Sequence, residues 1–154
     1  MRRCLWWVLI ATLAGCTHGA SRSTYETLLL YREHAGPPVA SAQLGHAGGK
    51  HEWTPLGDQA LAVWSSEYTG HLLELRTPCP AILTAMRVWI TNSRGEIAAR
   101  SDAVMTRSGS GTAASACRIA TIRPIDGRSL GEAKRELREA EFVDRPAGPP
   151  EGQR

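Results

Sequence analysis

Chemistry in a small protein needs polar side chains that converge, and this sequence offers few candidates. His46 and His51 lie in the glycine-rich run Gly45-His46-Ala47-Gly48-Gly49-Lys50-His51. A zinc site takes three or four ligands, and the run itself holds no cysteine, carboxylate or third histidine to complete this pair. The run therefore reads as a solvated loop, and no metal is expected. Gly48-Gly49-Lys50 also lacks the upstream glycine and the following Ser or Thr of a phosphate cradle. His71 opens one strand-like stretch and Asp102 enters another, which makes them the best polar pair for an enzyme, but no nucleophile accompanies them. The sequence holds no Gly-x-Ser-x-Gly elbow, no His-Glu-x-x-His and no paired-carboxylate signature. No catalytic residue and no cofactor is expected. Trp53 and Tyr68 are the candidate binding aromatics, because large rings anchor interfaces. Trp64 and Trp89 are expected to fill a small core.

The cysteines carry more. Arg2 and Arg3 form a positive n-region, and the apolar run from Leu5 to Ala14 follows them. That run is far shorter than the roughly 20 residues a membrane-spanning helix needs. It ends in Leu13-Ala14-Gly15-Cys16, which resembles the lipobox of bacterial lipoproteins. Small residues at 14 and 15 admit a peptidase, and only the thiol of Cys16 can take a thioether-linked diacylglycerol. Residues 1–15 are expected to be a signal peptide and 16–23 a lipidated tether. Processing removes Arg2 and Arg3 and no acidic residue, which takes two units from the formal net charge of +3. The basicity then belongs partly to the signal, and a nucleic-acid partner loses its support. By analogy with lipoprotein sorting, Thr17 is not the aspartate that retains lipoproteins at an inner membrane. The expected address is the cell envelope, on an outer membrane facing the periplasm.

Export leaves two thiols. Cys4 departs with the signal and Cys16 is consumed by lipid, so Cys79 and Cys117 are expected to pair in an oxidising space. A free buried pair is the alternative.

The elements that would position these groups are legible in outline. Residues 24–34 read as a short amphipathic helix with Ser23 as N-cap, ended by Gly36-Pro37-Pro38. Residues 39–44 alternate weakly as a first strand. Trp53-Thr54-Pro55-Leu56-Gly57-Asp58 reads as turn chemistry. In 59–65, Leu61 and Val63 share one face while Ala60, Ala62 and Trp64 share the other. This strand and His71-Leu72-Leu73-Glu74-Leu75 form an antiparallel hairpin. Pro80 opens one or two helical turns. Residues 87–91 and 96–99 read as a second hairpin across Asn92-Ser93-Arg94-Gly95, and 102–106 as a further strand. Cys117-Arg118-Ile119-Ala120-Thr121-Ile122 is apolar on both faces, as a central strand is, and Ile122-Arg123-Pro124-Ile125-Asp126 ends it. Asp126 then supplies a cap for an amphipathic helix over 129–142, with Leu130, Ala133, Leu137 and Ala140 spaced at three and four. The expected fold is α+β: an antiparallel sheet or partial barrel of about five or six strands with an N-terminal and a C-terminal helix, one domain over 24–143. Residues 144–154, rich in proline and glycine, are expected to be a disordered tail.

The order of Trp53-Thr54-Pro55-Leu56-Gly57-Asp58, the Leu72-Leu73 strand, Cys79, Asp102-Ala103-Val104, Cys117-Arg118-Ile119 and Ile122-Arg123-Pro124 resembles a family of small bacterial envelope proteins, the domain of unknown function family 6491. The resemblance covers 31–141, with His71 where an aromatic such as tyrosine is expected. It implies an architecture and brings no catalytic residues. The expected function is accordingly a non-catalytic envelope lipoprotein, a binding or structural accessory module, with a lipid anchor in the membrane and another envelope protein as its partner. The alternative is a periplasmic enzyme with a polar site near His71 and Asp102.

Overall fold

The computed structural model describes residues 23–44, 52–91, 95–109 and 114–143, with side chains in the last helix as far as 137. The expected signal peptide, Cys16 and the expected tether up to residue 22, the histidine loop and the expected tail lie outside these residues. The elements run α1 (Thr24–Glu33), β1 (Ser41–Gln43), β2 (Glu52–Pro55), β3 (Ala60–Trp64), β4 (Thr69–Leu75), a 3-10 turn (Pro80–Ile82), β5 (Arg87–Ile90), β6 (Glu96–Ala98), β7 (Ala103–Arg107), β8 (Ser115–Asp126) and α2 (Gly127–Val143).

Ser23 caps α1 reciprocally. Its Oγ accepts from the Glu26 N–H at 3.2 Å, and its own N–H donates to Glu26 Oε2 at 2.8 Å. Two orphan donors of the first turn are thereby satisfied. At the other helix, Asp126 Oδ1 accepts from the Arg128 N–H at 2.9 Å, so the expected cap forms. The helix begins at Gly127, two residues earlier than its hydrophobic spacing indicates, because β8 continues extended up to the cap.

Six strands form one antiparallel, nearly closed sheet in the order β2-β3-β4-β8-β7-β5, and β1 pairs separately with β6. The α+β expectation holds, with β8 in the central place. Side-chain alternation divides the sheet. Leu61, Val63, Leu73, Leu75, Val104, Cys117, Ile119 and Ile122 fill the interior with Ile82 of the 3-10 turn. Ala60, Ala62, Leu72 and Ile125 face outward, where Leu28, Leu30, Tyr31, Leu56 and Leu130 cover them. The alanines matter here: small side chains on β3 let the helical layer approach the strands.

The structure corrects four local readings. Residues 53–55 pair as a strand, Trp53 with Val63 and Pro55 with Leu61. Pro55 is tolerated because β2 is an edge, and the turn proper falls at Gly57, whose φ of 105° favours glycine. The first strand shortens to Ser41–Gln43, while Val39 makes only a bridge to Ile122. The expected second hairpin does not form. β5 pairs with β7, and β6 pairs with β1. Finally, β8 passes through Pro124. The Pro124 carbonyl accepts from the Gly36 N–H at 2.8 Å. A strand residue's N and C=O point to the same side, so the missing N–H lies away from β4 and costs no rung there.

Leu137, expected on the buried stripe of α2, is 38% exposed, whereas Leu130 is fully buried. The helix leaves the sheet as it proceeds.

Candidate functional site

His71 sits in the barrel wall. Its register partners are Val63 on β3 and Pro124 on β8, so its side chain shares their inward face. It is 8% exposed, and its Nδ1 has no hydrogen-bond partner among the described residues. Burial disfavours the charged imidazolium and lowers its pKa from the ordinary 6.5.

Asp102 has structural work. Its Oδ2 accepts from the Ala98 N–H at 2.7 Å, closing the turn between β6 and β7, and its Oδ1 accepts from Thr91 Oγ1 at 3.3 Å. The Thr91 hydroxyl in turn accepts from the Ala103 N–H at 3.0 Å. The two polar candidates are not brought together. His71 lies opposite Pro124, while the Asp102 carbonyl accepts from the Ile119 N–H. These positions lie five steps apart on β8, roughly 16 Å along the strand.

Trp53 and Tyr68 lie apart as well. Trp53 is half-buried, and with Val63, Val88, Trp89 and Ile90 it lines a small cleft where the edges β2 and β5 approach. Tyr68 is 48% exposed at the tip of the β3–β4 hairpin. Ser66 Oγ shapes that tip by accepting from the N–H groups of Tyr68 and Thr69. The Arg128 guanidinium stands 4.9 Å from the Tyr68 ring centre, a cation–π contact. Glu67 beside it raises the phenol pKa above the ordinary 10.0, through a hydrogen bond and its charge. Trp64 and Trp89 are half-buried. Trp64 lies edge-on to Tyr31, with ring centres 6.4 Å apart and its Nε1 donating to Thr54 Oγ1 at 3.2 Å.

The two cysteines meet. Cys79 and Cys117 are joined with Cα atoms 6.0 Å apart, linking the residues after β4 to the start of β8. A shallow depression lined by Thr77, Pro78, Pro80 and Ser115 opens over them.

Sequence reasoning passed over Arg87 and Arg107. They are directly opposite in the β5–β7 register, and Arg107 stands 5.5 Å from the Trp89 ring centre. Alternation in Arg87-Val88-Trp89 already put Arg87 and Trp89 on one face. The missing information was which strand lies alongside. Among the described residues no group of three or more His, Cys, Asp or Glu could hold a metal ion, and no helix is long and apolar enough to cross a membrane.

These features define a class: a small α+β protein on a nearly closed antiparallel sheet, stapled by one cysteine pair, with aromatic and basic groups at its surface. The chain belongs to the family of unknown function DUF6491, whose model matches residues 1–141. It is the family that the sequence resembles over 31–141. No curated protein and no solved structure matches the chain.

Proposed function

We propose that the protein is a non-catalytic lipoprotein of the cell envelope, anchored through Cys16 on the periplasmic face of an outer membrane and serving as a binding or structural accessory module. The observation that carries the non-catalytic reading is the employment of Asp102, whose carboxylate is committed to Ala98 and Thr91. His71 supports it, turned inward about five strand residues away. The binding reading rests on Tyr68, presented on a hairpin tip and backed by Arg128. The anchor reading rests on Leu13-Ala14-Gly15-Cys16 behind a short apolar run. Another envelope protein is the proposed partner.

Mass spectrometry of protein extracted from membranes tests the anchor: the N-terminus should be an acylated Cys16. A photo-crosslinker at Tyr68, compared with one at Glu26 in intact cells, tests the binding role and should give a discrete adduct only at 68. A hydrolytic activity that His71→Ala abolishes without unfolding the protein would overturn the non-catalytic reading.

A further inference from the structure

We infer that the barrel end closed by the 3-10 turn lies against a phospholipid surface, with Leu83 and Met86 entering it and Arg87 and Arg107 meeting its phosphates. The inference rests on the lipid-anchored reading above and adds an orientation to it.

The strand registers put one set of termini together: the C-terminal ends of β2, β4 and β7 and the N-terminal ends of β3, β5 and β8. Ile82 is buried under this end, while Leu83 and Met86 beside it are 55% and 78% exposed. Their exposure is built in. The Met86 N–H donates to the Arg107 carbonyl at 2.9 Å, and Thr84 Oγ1 lies 3.2 Å from Ser108 Oγ, so the lip is pinned to β7.

Arg87 and Arg107 face each other across two strands, where like charges repel. The ion pairs among the described residues both go to Glu74, from Arg32 and Arg123, and neither involves Arg87 or Arg107. Residues 45–51, 92–94 and 110–113 contain no acidic residue. Arg107 Nε is buried without a hydrogen-bond partner, and Trp89 holds the guanidinium in place. An anion from outside, meeting the guanidinium groups, would offset the repulsion. Arg76 also stands at this end, against Asp58, Glu26 and Glu74, the last of which is engaged by Arg32 and Arg123. Among the described residues the far end carries Glu52, Glu67 and Asp126 against Arg128, so the basic end is the one suited to phosphates.

The tether leaves from the same end. A Cβ built on Gly57 would lie 3.5 Å from Thr24 Cγ2, and the carbonyl of the next residue, Asp58, accepts from the Cys79 N–H at 2.6 Å. Seven Cα–Cα steps run from Cys16 to Ser23, a reach of at most about 25 Å. An anchored domain thus presents this lip to the bilayer.

The test uses the unlipidated mature chain, Cys16→Ser, sedimented with vesicles of phosphatidylcholine alone or mixed with phosphatidylglycerol. Binding should rise with the anionic lipid, fall about fivefold for Arg87→Gln and for Arg107→Gln, fall for Met86→Ser, and stay unchanged for Tyr68→Ser at the far end. Thermal melts matching the parent keep misfolding out of the comparison. Binding that ignores vesicle composition and all three lip variants, or an unlipidated chain that sediments with neither vesicle, overturns the orientation. Failure of the anchor is read separately, from the mass of Cys16 in the native protein.

Discussion

Arg32 on α1 grips Glu74 on β4 with two nitrogens, Nε at 2.8 Å and Nη2 at 2.7 Å from the same carboxylate oxygen. Arg123 on β8 approaches the other oxygen at 3.6 Å. One carboxylate thus joins the helix to two central strands on the outer face. Glu74→Gln should destabilise the fold by about 1 kcal/mol, since half-exposed ion pairs are screened by water. The loss, measured by urea unfolding, should shrink at high salt.

The Cys79–Cys117 pair spans 38 residues. In the chain-entropy model such a closure contributes roughly 4 kcal/mol. The mature protein unfolded without reductant should show no reactive thiol, and reduction or Cys79→Ala should lower the melting temperature. Two labelled thiols, or an unchanged melt, would show that the link is not formed or not organising.

His71 makes stability depend on pH. Its folded pKa lies below the ordinary 6.5 because burial disfavours the cation. The unfolded chain therefore binds the proton more readily, and folding is most favoured above pH 6.5. Stability should fall as pH drops from that value through the lower folded pKa, then level off with respect to this group. Urea midpoints between pH 8 and 5 report it, and His71→Leu should flatten that part of the profile.

Two glycines should respond to alanine with opposite signs. A Cβ at Gly70 would lie 2.6 Å from Trp64 Cε3 and 3.0 Å from the Val63 carbonyl oxygen. Gly70→Ala must therefore displace the tryptophan from the β3–β4 surface, at a cost of about 1–3 kcal/mol, with a shift in tryptophan fluorescence. Gly131, within α2, meets nothing within 4 Å. Gly131→Ala should stabilise by about 0.5–1 kcal/mol through helix propensity.

What the sequence made legible was local. The two faces of β3, the β3–β4 hairpin, the Ser23 cap and the central place of β8 all follow from patterns within a few residues. Prolines misled where position in the sheet decides their cost: Pro55 at an edge strand and Pro124 with its missing N–H on the side of β8 away from β4 are both compatible with extended chain. Pairing between distant strands was not legible. The Asn92-Ser93-Arg94-Gly95 turn signal suggested a hairpin, yet β5 joins β7. The same non-local register parts His71 from Asp102 and brings Arg107 beside Arg87 and Trp89. Side-chain types nominated the polar candidates, and only the register decides which of them can meet.

The twelve-residue strand β8 serves two neighbours in turn, β7 along Ser115–Arg118 and β4 from Ile119 onward, with a register shift at Glu74 and Leu75. Among the described strands neither neighbour has another partner on that side, so the sheet closes only once β8 arrives. The contacts that finish the fold are long-range, which slows folding. During synthesis the nascent chain stays incomplete until residues 115–126 have emerged. For a polypeptide proposed to cross a membrane as an extended thread, that ordering is a timing device: translocation can begin before the domain is able to lock.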